Sequence, residues 1–340
     1  LKAAEKSMTL LKNDGVLPIS KKIRRIAVVG PNADDVRNML GDYSFPAHVE
    51  SLIDQNDDNF ASTPTPEGAY SVKDALPRMD SVLAGLRKHR PDLDFAYTRG
   101  CGVEGGEDAE IEAAVGAARG AELVLAVMGD KAGLVLDCTS GEARDRATLN
   151  LPGRQRELLM RLRETGVPVV LVLVNGRPFS LVWEDQNLSA ILEAWLPGEE
   201  GAAAIAKTLF GDKNPAGRLP ITFPRAAGQV PVFYAHRPSG GKSHWKGAYV
   251  DESNLPLYAF GHGLTYTRFA YGNLKLPAGA PVDGEITIEA DVTNVGDRAG
   301  DEVVQLYIRD DCAFDVTRPV MELKGFMRVA LEPGEKKTIR

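Results

Sequence analysis

Seven ionisable side chains crowd into residues 129–146: Asp130, Lys131, Asp137, Glu142, Arg144, Asp145 and Arg146. Glu142 is singled out by its neighbours, because Ser140-Gly141 makes the backbone permissive just before it. A carboxylic acid held on such a loop, with apolar surroundings to raise its pKa, is what general acid catalysis near neutral pH needs. Residue types taken alone favour a plainer account, a solvated acidic loop braced by ion pairs at Asp145 and Arg146. Tyr43 and Phe45 would suit stacking on a sugar ring if their loop reaches the same place, although anchoring a loop is the commoner task of such rings. Trp183, Trp195 and Trp245 read as structural on the same ground.

Other chemistries lack their residues. Gly30-Pro31-Asn32 follows a strand but is no G-x-G-x-x-G, and Pro31 removes a backbone donor that a phosphate would use. Ser140 is outside any G-x-S-x-G elbow, and none of the five His stands in a metal pattern. No cofactor or metal is expected.

The elements that must position the loop are legible as alternating strands and helices. Residues 23–29, 121–128 (AELVLAVM) and 168–174 (PVVLVLV) are continuous apolar runs, the mark of strands covered on both faces. Shorter strands are expected at 92–97, 189–194 and 219–223. Helices are expected at 1–20, 72–90 (interrupted by Pro77), 108–119, 153–164 and 198–210. This order predicts an α/β fold with a mostly parallel sheet between helices, whose function collects at the carboxyl ends of the strands. Two loops fit, residues 30–46 and 129–145, while the polar stretch onward to 67 reads as loop. After an aromatic-rich connector the periodicity falls to two, at 286–292 and 303–308, which predicts an antiparallel β-sandwich.

Composition narrows the partners. A net charge of −7 spread along 340 residues, with no basic stripe, argues against nucleic acid and anionic membranes. No apolar run approaches the roughly 20 residues of a membrane helix. Three cysteines are too few for a disulfide scaffold, and a Cys101–Cys138 bridge stays open beside buried thiols.

A dense, ordered set of motifs resembles the C-terminal half of glycoside hydrolase family 3. It runs from Ser7-Met-Thr-Leu-Leu-Lys-Asn-Asp14 and Ile26-Ala-Val-Val-Gly-Pro-Asn-Ala-Asp34 through Ser140-Gly-Glu-Ala-Arg-Asp-Arg146. Val174-Asn-Gly-Arg-Pro178, Ala194-Trp-Leu-Pro-Gly198 and Phe260-Gly-His-Gly-Leu-Thr-Tyr266 continue it. Val292-Thr-Asn-Val-Gly296, Val304-Gln-Leu-Tyr307 and Leu323-Lys-Gly-Phe326 look like the fibronectin III-like module that often follows.

The resemblance implies an (α/β)6 sandwich at 23–225, entered by a linker at 1–22. It further implies a connector at 226–268 and a truncated fibronectin III-like domain at 269–340. It implies a retaining, exo-acting β-glycosidase, most often a β-glucosidase, acting on a β-linked glucoside or related oligosaccharide. The acid/base falls on Glu142. Asp42, Tyr43, Phe45 and Arg144 become candidates for substrate contact, with Arg144, Asp145 and Arg146 also setting the loop. The family's nucleophile is an Asp on an N-terminal TIM barrel, so the expected partner is that barrel, and a homodimer is compatible. Family habit favours a periplasmic or secreted setting. The rival expectations are a non-catalytic module that binds carbohydrate or pairs with a barrel, and, more weakly, a nucleotide-binding α/β protein. Glu142 itself is expected near the surface at the carboxyl end of the sheet.

Overall fold

The computed structural model describes every residue except 55–67, 69, 239–247, 280, 282 and 313–315, so Trp245 and most of the expected loop at 46–67 lie outside the described residues. Its centre is a six-stranded sheet. The strands are β1 (Thr9–Asn13), β2 (Arg25–Val29), β3 (Asp94–Thr98), β4 (Leu123–Gly129), β5 (Val169–Val174) and β6 (Ala190–Glu193), in the spatial order β1-β6-β5-β4-β2-β3. All neighbours are parallel except β1, which pairs antiparallel with β6 at the edge.

The apolar runs have the reason their pattern predicted. Along β4, Leu123, Leu125 and Val127 join one core while Val124, Ala126 and Met128 join the other, and β2 and β5 divide in the same way. Helices cover both faces, so the apolar side chains of these strands are buried whichever way they point. The helices are α1 (Lys2–Ser7), α2 (Phe45–Ile53), α3 (Val72–Ala75), α4 (Val82–His89), α5 (Asp108–Arg119), α6 (Gln155–Arg163), α7 (Val182–Asn187) and α8 (Gly201–Phe210). Helices α4 and α8 pack on the first core, α5 and α6 on the second. Fully burying one such Val, Leu or Ile contributes about 1.5–3 kcal/mol, which fixes strand register firmly.

Four local expectations change. The helix expected over residues 1–20 stops at Ser7, and Leu10 and Leu11 belong to β1, where pairing with β6 overrides a marginal amphipathic pattern. Residues counted as a linker thus include a strand of the sheet. The strand expected at 219–223 is a single bridge, Phe223 to Tyr258, because Pro220 and Pro224 supply no donors to a ladder. Part of the stretch read as loop is helix α2, which starts at Phe45 with Pro46 in its first turn and buries Ala47 and Val49. The bridge left open between Cys101 and Cys138 is not formed; both are buried free thiols, and burial pushes Cys101 up to about 12.

Phe223 and residues 257–266 pack back on the sheet domain. Leu264 donates to Leu10 O at 2.7 Å, and the His262 ring stacks on Tyr258 with centroids 5.1 Å apart. Beyond them lie β7 (Phe269–Lys275), β8 (Glu289–Asn294), β9 (Gly300–Ile308), β10 (Glu322–Leu331) and β11 (Lys336–Ile339). These form two antiparallel sheets, β11-β8-β7 and β10-β9, around a small core of Val292, Val329 and Leu331.

Candidate active site

The parallel strands run outward from β2 in two directions, to β3 on one side and to β4, β5 and β6 on the other. The crevice between the carboxyl ends of β2 and β4 is therefore the topological switch point, where α/β sheets hold their ligands. The loop leaving β2 and the loop leaving β4 flank it. Gly129, with φ +140°, turns the chain out of β4 so close to β5 that a Cβ would lie 2.0 Å from Val174 O.

Both loops are stitched to the floor. The Asn32 amide donates to Asp130 O at 3.1 Å and to Val174 O at 3.0 Å, and Asn38 donates to Asn32 Oδ1 at 2.8 Å. Glu50 of α2 then joins the two loops: it pairs with Arg37 at 2.7 Å and with Lys131 at 3.6 Å. These linkages bring the candidate residues together.

Glu142 is exposed at the carboxyl end of the sheet. The Tyr43 hydroxyl donates to its Oε2 at 2.7 Å, and the Glu142 amide donates to Asp42 Oδ2 at 3.1 Å. The hydrogen bond to Glu142 and its charge push the Tyr43 phenol up. On either side of Glu142 the backbone is left-handed, at Gly141 (φ +120°) and Ala143 (φ 56°). A Cβ at 141 would sit 2.3 Å from Gly133 O, so this turn needs glycine. Asp42, Tyr43 and Glu142 thus meet directly. Phe45 stands exposed at the first residue of α2, and Arg144 enters through its backbone carbonyl, which accepts from Arg177 at 2.8 Å. Arg146 pairs at 2.6 Å with Glu104 rather than with a neighbour in its own loop.

Beneath this rim lies a set of buried polar groups that sequence reasoning did not pick out as a site. Asp130, Asn175 and Glu193 have no exposed surface. Burial pushes the Asp130 carboxyl up from the usual 3.8 to about 6, against the opposing pull of the Thr139 hydroxyl and the Arg177 guanidinium. Burial likewise holds Glu193 well above the carboxylate range, although Trp195 N donates to it at 2.8 Å. The signals were present: an Asp ending an apolar strand, and Asn-Gly-Arg-Pro ending another. Among the described residues no cluster of His, Cys, Asp and Glu could hold a metal ion, and no helix is long and apolar enough to cross a membrane.

An exposed carboxyl with a phenol donor, set at a switch point, can exchange a proton with a ligand bound over the loop.

Comparison with known proteins places this arrangement. Residues 8–266 match the glycosyl hydrolase family 3 C-terminal domain, and residues 302–340 match a fibronectin type III-like domain. A periplasmic beta-glucosidase of Salmonella typhimurium is 40% identical over 347 residues, covering 99% of this chain and 43% of that protein. A beta-xylosidase of Formosa agariphila is 40% identical over 343 residues, covering 100% of this chain and 43% of that protein. The solved beta-glucosidase of Listeria innocua in complex with glucose superposes with a TM-score of 0.81 at 31% identity, over 99% of this chain and 43% of the other. The chain spans less than half the length of these relatives. With the family model matched over residues 8–266 and relatives 40% identical across the chain, the chain belongs to glycoside hydrolase family 3, as its C-terminal domain followed by a fibronectin type III-like domain.

Proposed function

We propose that this chain supplies the general acid/base, Glu142, of a retaining exo-acting β-glycosidase, most often a β-glucosidase. The nucleophilic carboxylate is carried by an N-terminal TIM barrel domain of the same enzyme. The observation that carries the reading is the Glu142 carboxyl, exposed at the switch point and held by Tyr43 and Asp42. Retaining hydrolysis needs two carboxyl groups about 5–5.5 Å apart. A barrel closing over the β2 and β4 loops would bring the second one and exclude water from the first.

In the first half-reaction Glu142 gives its proton to the glycosidic oxygen as the barrel carboxylate bonds to the anomeric carbon. In the second, Glu142 takes a proton from water as the water oxygen bonds to the anomeric carbon and the barrel carboxylate leaves, releasing the sugar. Asp42 and Tyr43 hold the acid's backbone and carboxylate, while Phe45 and Arg144 are available to the substrate. The full-length enzyme carrying Glu142→Ala should hydrolyse glycosides with poor leaving groups on the order of 10²–10⁴-fold more slowly. Azide should partly restore turnover of activated aryl glycosides. Unchanged rates on both classes would end the assignment. Hydrolysis of an aryl β-glucoside by this chain alone would end the division of labour between domains. Carbohydrate binding with no effect of Glu142→Ala on the full-length enzyme would favour a non-catalytic module.

A further inference from the structure

We propose that Arg177 is a positioning residue for the catalytic loop, a clamp that ties the backbone on both sides of Glu142 to the floor of the sheet. The inference rests on the reading of Glu142 as acid/base. One nitrogen, Nη2, donates to Thr139 O at 3.0 Å and to Arg144 O at 2.8 Å. Those carbonyls lie three residues before Glu142 and two residues after it. A single guanidinium therefore closes the ends of the turn that presents the acid.

The clamp is itself anchored. Arg177 Nε lies 3.7 Å from Asp130 Oδ2, and Asp130 Oδ1 accepts from the Thr139 hydroxyl at 3.0 Å. The Arg177 carbonyl accepts from the Asn175 amide at 2.6 Å, so the residue is fixed at its backbone as well as at its head. Asp130 follows β4 and Asn175 follows β5, the two central strands of the sheet. The loop therefore inherits the rigidity of the sheet through one side chain. A lysine would bring a flexible point charge and could not hold this planar fork.

The turn needs such a device because it contains Ala143 in the left-handed region, a conformation that costs an ordinary residue free energy and persists only where surroundings impose it. Without the clamp the turn can relax, and Glu142 moves away from Tyr43. A displacement of about 1 Å at an acid/base is enough to cost on the order of 10²-fold in rate.

Two measurements test the clamp. In this chain, carbon-13 NMR of tyrosine rings labelled at Cζ, with Tyr43 assigned through Tyr43→Phe, follows the phenol titration. Glu142→Gln should bring the Tyr43 pKa down, and Arg177→Gln should do the same although Arg177 does not touch Tyr43. Should Arg177→Gln fail to fold, Asp130→Asn, which keeps the guanidinium but removes its counter-charge, should give a smaller displacement in the same direction. In the full-length enzyme, Arg177→Gln should lower kcat on poor leaving groups on the order of 10²-fold with KM nearly unchanged, and Arg177→Lys should not rescue it. The loss should shrink to a few-fold on 2,4-dinitrophenyl glycosides, which need little acid assistance. A Tyr43 titration unchanged in both Arg177→Gln and Asp130→Asn overturns the clamp, and so does an equal loss across leaving groups. The acid/base assignment fails separately, through full activity of Glu142→Ala.

Discussion

Glu142 and Asp130 belong to the same loop after β4, yet they meet opposite surroundings. Glu142 is exposed and held by a phenol and a neighbouring loop. Asp130 has no exposed surface, and the sheet itself pushes its carboxyl up to about 6. The state of a buried acid is set once the fold forms, so its titration is written into stability. The state of an exposed acid is open to whatever later covers it, so its titration is available to chemistry. On the proposed function, the rim and the floor of the site divide the work: the floor holds the backbone, and the rim presents the proton.

The largest expected effect tests the floor. Asp130 titrates higher in the folded chain than in the unfolded one, so the folded state holds the proton over the interval between about 4 and 6. Stability from this group is fully present below about 4 and is lost as pH rises through about 6. A rise of that size corresponds to roughly 3 kcal/mol. Glu193, held high by burial, adds to the loss with the same sign. Chemical denaturation of this chain at a series of pH values should show this fall. It should be flatter in Asp130→Asn and flatter still with Glu193→Gln added. A slope that survived unchanged in the double variant would reverse the comparison.

The joint between the two β-loops is the next target. Glu50 is largely buried between Arg37 and Lys131 and is the carboxylate through which helix α2 holds both. Glu50→Ala leaves the buried Arg37 guanidinium without its strongest partner, which should cost about 2 kcal/mol in denaturation experiments. Proton exchange at the amides of Tyr43 and Glu142 should quicken together, because each belongs to one of the loops that Glu50 joins. Faster exchange at only one of them would show that the loops are held independently.

Much of this was legible in the chain, and the parts that were not share a cause. Within AELVLAVM and PVVLVLV, the apolar stretches 123–128 and 169–174 announce strands buried on both faces because each of those side chains must tolerate burial. No local signal sets the order β6-β5-β4-β2-β3, so the meeting of Tyr43 with Glu142, 99 residues apart, follows only from the tertiary arrangement. The family resemblance pointed to Glu142 and to Asp42, Tyr43, Phe45 and Arg144, whereas charge patterning alone left Glu142 in an ordinary acidic loop. Leu10 and Leu11 were misread as helix because their partner strand lies about 180 residues away. Asp130 was counted only as one charge of an acidic loop, because burial of a charged group is decided by packing, which residue type does not encode. Pro46 was a usable sign of a helix start and went unused amid polar neighbours.

The smallest expected effect falls between rim and floor, at Ala143. Its φ of 56° costs an alanine about 1 kcal/mol relative to glycine. Ala143→Gly relieves that cost but gives the unfolded chain more freedom, worth about 0.4–1 kcal/mol in the other direction. The net change in stability should therefore stay within about 0.5 kcal/mol. Activity of the full-length enzyme should respond more, since the turn would then populate conformations that carry Glu142 away from the Tyr43 hydroxyl. A kcat reduced several-fold with an unchanged denaturation midpoint would separate the two roles within three residues of chain: backbone strain held by the floor, and a proton presented by the rim. A large loss of stability with normal kcat would instead place Ala143 among the groups that hold the fold.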